Sequence, residues 1–468
     1  MMRTTAMRLH IPGPRPVPVL GWRGNVVQFL RDQIHYLTHA RRYGDLVGLA
    51  DGFAGLVMTF NPAYTRQLLT DPDLFYSNPF VQSPPDTALR HLTVGLLSMN
   101  GPQHRQTRKL LMPAFHRKAV EAYAADMIAL TEEMLGGWQL GQQFDLSRAM
   151  QHLTLRIAST ALYGLPAGPT TARIGDMLRR WLALHEAPLT MLLPYDRPGT
   201  TYRRLLRASE QFEALFMELI SWKRRNLDSQ HDVLAMLLQA HDENGAPLSD
   251  AELVGQASIL LNAGHETTSN ALTWTLFLLA QHPHVLQDVR DEVQSVLHNS
   301  PPTLAQLAQL PLLERVIKES MRVLPPVCYS FRVSTAPFQM GPYEFGRGTG
   351  LFFSQYTTHH DPELYAEPQR FLPQRWETID PSPYEYLPFG AGPRMCIGAT
   401  FAMLEIKIVL SMIVQRFTLA VQPNARIDRQ IKITLSPRHG MPVQVMPLDC
   451  VPAAARVRGN VREMVALP

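Results

Sequence analysis

The sequence predicts a mainly α-helical protein with small β-sheets. Three observations lead there. Between about residues 102 and 296 nearly all hydrophobic periodicity is helical, broken only near 164–169, 188–199 and 244–247. Apart from one early hairpin, β-like segments are short and return only after Pro325. No internal repeat and no linker divides the 468 residues. One domain is therefore expected over 21–448, between a Pro-rich N-terminal tail (1–20) and a C-terminal tail (449–468).

Each element has a local reason. Pro12, Pro14, Pro16 and Pro18 alternate and stiffen the leading segment into an extended form. Val26, Leu30, Ile34 and Leu37 recur at helical spacing. Segments 46–50 and 56–60 read as a hairpin around Asp51-Gly52. Asn61-Pro62 places a capping residue before a first-turn proline and starts a helix. Residues 77–100 are rich in Pro, Ser and Thr and form a long loop, a kind of segment that is usually functional. A long helix follows at about 250–281. Beyond the break at Pro325-Pro326, segments 331–333, 350–353 and 417–421 look β-like, residues 366–395 are Pro-rich and irregular, and 431–435 with 442–445 form a final β-like pair.

Composition narrows the class of function. Hydrophobic residues are 46% and charged residues 18%, as in ordinary globular proteins. The net charge of +4 carries no Lys/Arg block, which argues against nucleic acid as a partner. Three cysteines (Cys328, Cys396 and Cys450) are too few for a disulfide framework and fit a reducing compartment. The first 20 residues show no signal-peptide pattern, and the longest apolar stretch, 271–280, is too short to span a bilayer. A cytoplasmic protein without a membrane anchor is expected.

The most informative stretch is Phe389-Gly390-Ala391-Gly392-Pro393-Arg394-Met395-Cys396-Ile397-Gly398. A helix N-terminus following Cys396 favours its thiolate. Gly392 and Gly398 let the backbone approach a flat partner without an intervening Cβ. A soft thiolate offered singly, with no second Cys or His at ligand spacing, suits haem iron better than zinc. Phe389 can cover the sulfur, and N–H groups after Cys396 can donate to it. A buried, inert cysteine is the usual alternative. Five fixed positions here match by chance in on the order of one in several thousand chains, which overturns it.

A second constellation is Ala263-Gly264-His265-Glu266-Thr267-Thr268, in the middle of the long helix. Glycine and threonines are poor helix formers. Thr267 can donate its hydroxyl to the carbonyl of Ala263, which is expected to open the helix locally. Glu266 places an acid beside it, within the apolar run that contains Ile259, Leu260, Leu261 and Leu272. Glu319 and Arg322 share a helix face, and with Arg375 a carboxylate between two guanidiniums can lock the irregular segment that presents Cys396. His104 and Arg108 lie four apart on one helix face, with Arg332 and Arg394 as further basic groups suited to paired carboxylates. Arg105 and Lys109 read as solvated.

Together these motifs resemble the cytochromes P-450, the haem-thiolate monooxygenases, over roughly residues 10 to 448. The resemblance implies a triangular helical prism, with haem between the long central helix and the helix after the cysteine loop. It implies that Cys396 is the proximal ligand of haem b and that His104, Arg108, Arg332 and Arg394 bind the propionates. Phe389, Gly398, Ala263 and Gly264 would flank the haem, and Glu266 with Thr267 would be the distal acid–alcohol pair. Position 266 is Glu where many soluble bacterial members have Asp, and Arg394 stands where many have His, which suggests a bacterial chain near the eukaryote-like branch. The implied reaction inserts one oxygen atom from O₂ into a C–H or C=C bond. Electrons would come from NAD(P)H through an external ferredoxin and its reductase, or a flavodoxin-type donor, docked near Arg105, Lys109, Arg117 and Lys118. Family position places Leu96, Leu97, the stretch around 182–193, Ala263, Val327, Cys328 and Leu435 around an apolar pocket for a lipophilic substrate such as a fatty acid, terpenoid, steroid or polyketide. A monomer is expected. A peroxygenase, a non-redox isomerase and a haem-thiolate gas or redox sensor are the rival readings. The first two tend to lose the acid–alcohol pair, and a sensor would carry an output segment.

Overall fold

The computed structural model describes residues 10–468 apart from 78–82, 167, 188, 191–192, 228–231, 242–244 and 451. Residues 1–9 of the expected N-terminal tail, part of the loop at 77–100, part of the stretch around 182–193 and part of the break near 244 lie outside the described residues. In chain order the helices are α1 (Trp22–Arg31), α2 (Gln33–Ala40), α3 (Pro62–Thr70), α4 (Ala88–Thr93), α5 (Gly101–Phe115), α6 (Arg117–Ala122), α7 (Ala124–Gly136), α8 (Leu146–Tyr163), α9 (Pro169–His185), α10 (Thr201–Arg225), α11 (Val233–Gln239), α12 (Asp250–Gln281), α13 (Pro283–Leu297), α14 (Leu304–Leu307), α15 (Pro311–Val323), α16 (Gln355–His359) and α17 (Ala399–Val414). The strands are β1 (Leu46–Gly48), β2 (Leu56–Thr59), β3 (Phe75–Tyr76), β4 (Gln143–Asp145), β5 (Ser330–Ser334), β6 (Phe338–Met340), β7 (Tyr343–Phe345), β8 (Gly350–Phe353), β9 (Thr418–Val421), β10 (Arg429–Ile431), β11 (Leu435–Pro437) and β12 (Pro442–Met446). The chain divides into two compact units, each built from separated stretches.

The first unit takes Met1–Asn78, Met321–Cys396 and Met464–Ala466. Its five-stranded sheet has the order β1-β2-β8-β5-β3. The hairpin read from sequence is present, pairing Leu46 with Thr59 and Gly48 with Val57. The Pro-rich segment lies along it: Gly48 donates to the Pro12 carbonyl at 2.8 Å and Gly52 to that of Ile11 at 2.9 Å. The apolar stripe from Val26 to Leu37 is two helices rather than one. Asp32 is extended (φ −153°) and caps α2 through the N–H of His35, so the first helix ends there. Asn61 caps α3 as its sequence suggests, accepting from the Ala63 N–H at 2.8 Å.

The irregular segment before the cysteine is held by carbonyl capture. Arg322, fully buried, donates to the carbonyls of His359 (2.7 Å), Pro368 (2.8 Å) and Arg370 (3.1 Å). Arg375 donates to those of Ala366 (2.8 Å) and Glu367 (3.3 Å). His359 accepts the Leu387 N–H at 2.8 Å, and Tyr365 donates to the Glu385 carbonyl at 3.0 Å. Ala466 donates to the Gln369 carbonyl at 2.8 Å, so part of the expected C-terminal tail is packed structure. Gly392 has φ +72°, and a Cβ there would stand 2.4 Å from the Leu69 carbonyl oxygen on α3.

The second unit takes Pro79–Ser320, Ile397–Glu463 and Leu467–Pro468. Its axis is α12, 32 residues long, which starts at a capping box formed by Ser249 and Glu252. It packs on α8, α4, α10 and α17. Trp274, Leu272, Phe277 and Leu278 are fully buried. Residues 77–100 are more than a loop, because Thr87 caps the short α4. The final β pair differs from the expectation. Strand β12 pairs with β9 and β4, whereas Ile431 faces Leu435 across a tight hairpin, β10–β11. The reason is that Lys432, Ile433 and Thr434 turn toward side-chain and carboxylate partners described below and leave the strand pattern. Residues beyond 448 return here too: Val457 and Val461 are buried, and Arg429 pairs with Glu463 at 2.7 Å. Among the described residues no helix is long and apolar enough to cross a membrane.

Two consequences can be tested. Lys223 and Asp232 form a buried ion pair, and Asp232 also caps α11 through the Ala235 N–H at 3.1 Å. Lys223→Met leaves a buried carboxylate and is expected to cost about 3–5 kcal/mol in denaturant unfolding, most of it recovered when Asp232→Ser is added, since Ser keeps the cap. Gly392→Ala meets both a left-handed backbone and the Leu69 carbonyl. It is expected to cost about 1–3 kcal/mol and to perturb the environment of Cys396, read by the rate of thiol labelling of the metal-free protein.

Candidate active site

In the second unit α12 is buried from Leu253 to Leu279 except along one stripe. Ile259, Asn262, Ala263, Gly264, Glu266 and Thr267 are partly accessible, and most of them repeat at i, i+3, i+4, i+7 and i+8. The helix therefore presents one accessible face on an otherwise buried surface. A Cβ on Gly264 would meet nothing within 4 Å. The threonine hydroxyls beside this face are satisfied locally. Thr267 donates to the Ala263 carbonyl at 2.7 Å, and Thr268 to that of Gly264 at 3.0 Å. The expected opening does not break the helix, which is continuous over all 32 residues. A back-bonded hydroxyl shares a carbonyl without removing the ladder bond. His265 is buried, its carbonyl accepts from Thr154 at 3.0 Å, and burial pushes its ring down to about 4. It is a neutral packing group.

Glu266 is held from outside its own helix. Thr434 donates its hydroxyl to Glu266 Oε1 at 2.8 Å and accepts from Asn270 Nδ2 at 3.0 Å. Burial, above all, raises the Glu266 carboxyl above the ordinary carboxylate range. The Thr434 hydrogen bond and Lys432 oppose this, whereas the nearby Glu186 adds to it. Lys432 pairs with Glu186 at 3.1 Å. Burial also raises Glu186. The sequence gives no sign of Thr434, Asn270, Lys432 or Glu186, because Thr434 and Glu266 are 168 residues apart and a Lys-Ile-Thr run carries no signature.

In the first unit, the loop before Cys396 closes on itself. The Cys396 N–H donates to the Phe389 carbonyl at 2.9 Å, across the single 3₁₀ turn Gly392–Arg394. Gly390 and Gly392 both have left-handed φ values, +67° and +72°. The need at Gly390 was not evident from sequence; at Gly398, singled out there, φ is −89° and no such freedom is used. Cys396 is exposed and forms no disulfide. Arg332 lies on β5, where burial and then the neighbouring charge of Arg394 push it down to about 10. Like charge beside Arg332 makes this a place that favours an anion.

The other predicted residues divide between the units. His104 is buried and Arg108 half-buried on α5 in the second unit, whereas Arg105, Lys109, Arg117 and Lys118 are exposed. Glu319, in that unit, is fully buried. Of the expected pocket residues, Leu96 and Leu435 are buried there, and the Leu435 carbonyl accepts from Trp274 Nε1 at 3.0 Å. Leu97 is 58% exposed. Cys328, buried, and Val327 belong to the first unit.

The donor set fits a haem and does not fit an all-protein metal site. Among the described residues no three His, Cys, Asp or Glu side chains gather to hold an ion. Within the first unit an exposed thiol supplies one ligand and the Arg332–Arg394 pair suits carboxylates.

Comparison with known proteins agrees. The family model described as Cytochrome P450 matches residues 11–442. The chain is 31% identical over 426 residues to the cyclooctat-9-en-7-ol 5-monooxygenase of Streptomyces melanosporofaciens, covering 88% of this chain and 90% of that protein. It is 28% identical over 420 residues to the pentalenene oxygenase of Streptomyces avermitilis, covering 88% and 92%. The solved structure of retinoic acid-bound cyanobacterial CYP120A1 superposes with a TM-score of 0.81 at 25% identity, covering 94% of this chain and 100% of that one. The chain belongs to the cytochrome P450 family and is a haem-thiolate monooxygenase.

Proposed function

We propose that the substrate is a terpenoid-like polycyclic lipophile, hydroxylated or epoxidised with electrons from an external ferredoxin and its reductase. The observation that carries this reading is the accessible stripe on α12, where Ala263 and Ile259 provide apolar surface and Glu266 and Thr267 provide the polar end. A mostly apolar lining with a few convergent polar groups recognises a lipophile and orients it. The two Streptomyces relatives, one named for an alcohol and one for pentalenene, support the terpenoid class.

Haem b, when bound, activates O₂. Cys396 would supply its thiolate ligand, with Phe389 and Gly398 beside it, and Arg332, Arg394, His104 and Arg108 would neutralise its propionates. Ala263 and Gly264 would leave room on the distal helix. Glu266 holds a proton at neutral pH more readily than an ordinary carboxylate, because burial disfavours its charge. Thr267 stands one residue away and keeps its hydroxyl oriented by the Ala263 carbonyl. The pair would therefore pass protons to the distal site. The basic exposed face formed by Arg105, Lys109, Arg117 and Lys118 offers an acidic electron donor a landing surface. Such a donor fits a cytoplasmic location.

The reading is tested on the purified holoenzyme. The reduced carbon monoxide complex is expected to show the red-shifted band of a thiolate-ligated haem, lost in Cys396→His. A panel of cyclic terpenes, sterols, fatty acids and polyketides, titrated for the spin-state change on binding, should respond first to the terpenes; a response confined to fatty acids would overturn the substrate class. Thr267→Ala is expected to lower product formed per electron pair by roughly tenfold or more, with a matching rise in released peroxide. The acid form of Glu266 is the active one, so product coupling should fall as pH rises through its elevated pKa, and Glu266→Gln should remove that dependence.

A further inference from the structure

We propose that the turn of the β10–β11 hairpin is the positioning element for the Glu266 proton. Thr434 fixes which carboxyl oxygen carries it, and the Lys432–Glu186 pair sets the surrounding charge. This rests on the reading of Glu266 as the distal acid.

Three consecutive residues of the turn engage two buried carboxyls. Lys432 pairs with Glu186 at 3.1 Å, the Ile433 backbone hydrogen-bonds to the same carboxylate, and Thr434 donates to Glu266 Oε1 at 2.8 Å. A hydroxyl has one hydrogen. Asn270 Nδ2 donates to Thr434 Oγ1 at 3.0 Å and occupies a lone pair, so the Thr434 hydrogen is committed to Glu266 Oε1. When Glu266 is protonated, Oε1 is then the accepting, carbonyl-like oxygen and the acid hydrogen sits on Oε2. The proton leaves from Oε2 to the reacting site and is replaced there from solvent, with no other bond made or broken. Asn270 lies one turn after Glu266 on α12, so helix and hairpin close a single chain, Asn270 to Thr434 to Glu266.

The titratable groups that face Glu266 are Glu186, at the end of α9, and Lys432 on the hairpin; His265 beside it is neutral. Their effects on Glu266 oppose each other: Glu186 raises its pKa and Lys432 lowers it. Glu186, with its side chain 10% exposed, and Lys432, 45% exposed, place this balance at the edge of the buried region. Thr434, Asn270, Lys432 and Glu186 are positioning residues.

The test is the infrared carboxyl band of Glu266 in the ferric holoenzyme labelled with ¹³C-glutamate, assigned by its loss in Glu266→Gln and titrated with pH. Thr434→Val removes a hydrogen bond that favours the ionised form. The band is expected to move to higher frequency and its midpoint to rise by roughly half to one pH unit. Thr434→Ser should restore both. Lys432→Met should raise the midpoint and Glu186→Gln should lower it. In turnover, Thr434→Val should displace the alkaline limb of product coupling by the same interval. An unchanged band and midpoint in Thr434→Val, or a Thr434→Ser variant that behaves like Val, would overturn the proposal. Coupling left intact by Glu266→Gln would instead remove the acid role itself, whereas the band decides the positioning independently.

Discussion

Burying a 32-residue helix that must also carry polar, reactive side chains is the constraint on which the larger unit depends. An unsatisfied buried hydroxyl or amide costs about 1–3 kcal/mol, and α12 carries many such groups. The solution is local. Thr267, Thr268, Thr273 and Thr275 each donate to the carbonyl four residues earlier, and Ser269 donates to that of Glu266. Other groups are met from outside: Trp274 Nε1 reaches Leu435, and Asn270 Nδ2 and Glu266 meet on Thr434, whereas Asn262 Oδ1, Asn270 Oδ1 and the Gln281 amide find no partner among the described residues. The helix and the hairpin are thus fastened at three points along one side, and Glu266 is one of the fastenings.

The smaller unit meets a different constraint with the same chemistry. A Pro-rich, irregular stretch has few ladder bonds, so its carbonyls need donors. Arg322 and Arg375 provide them, with guanidinium forks spread over Ala366, Glu367, Pro368 and Arg370. The residues beyond 463 add Ala466 to the same segment. From that base the chain runs to the loop whose Cys396 N–H returns to Phe389. Gly392 packs directly under the Leu69 carbonyl, so a side chain there would displace this loop.

Much of this was legible before the structure. The bounds of α12, the cap at Asn61, the early hairpin and the Thr267–Ala263 bond are local events, decided by residues within a few positions of each other. The misreadings share one cause. The break at Asp32 sits inside an unbroken apolar stripe, and the strand expected at 431–435 is instead a turn. In both places a side chain's partner overrode the hydrophobic pattern. For Asp32 the partner is three residues away; for Thr434 it is 168. Arg375, read in sequence as one arm of an ion pair, also donates to the 366–370 backbone, which sequence gives no means of seeing.

Sequence alone determined the chemistry. A cysteine in a glycine-broken loop and an acid beside an alcohol in mid-helix are short-range patterns, and they suffice to name a haem-thiolate oxygenase. Tertiary structure decided how the acid is held. The raised pKa of Glu266 arises from burial, and its orientation from a threonine on a distant hairpin. Neither can be read along the chain, because desolvation and side-chain contact are properties of what lies around a residue in space, and those neighbours are fixed only when the whole chain has folded.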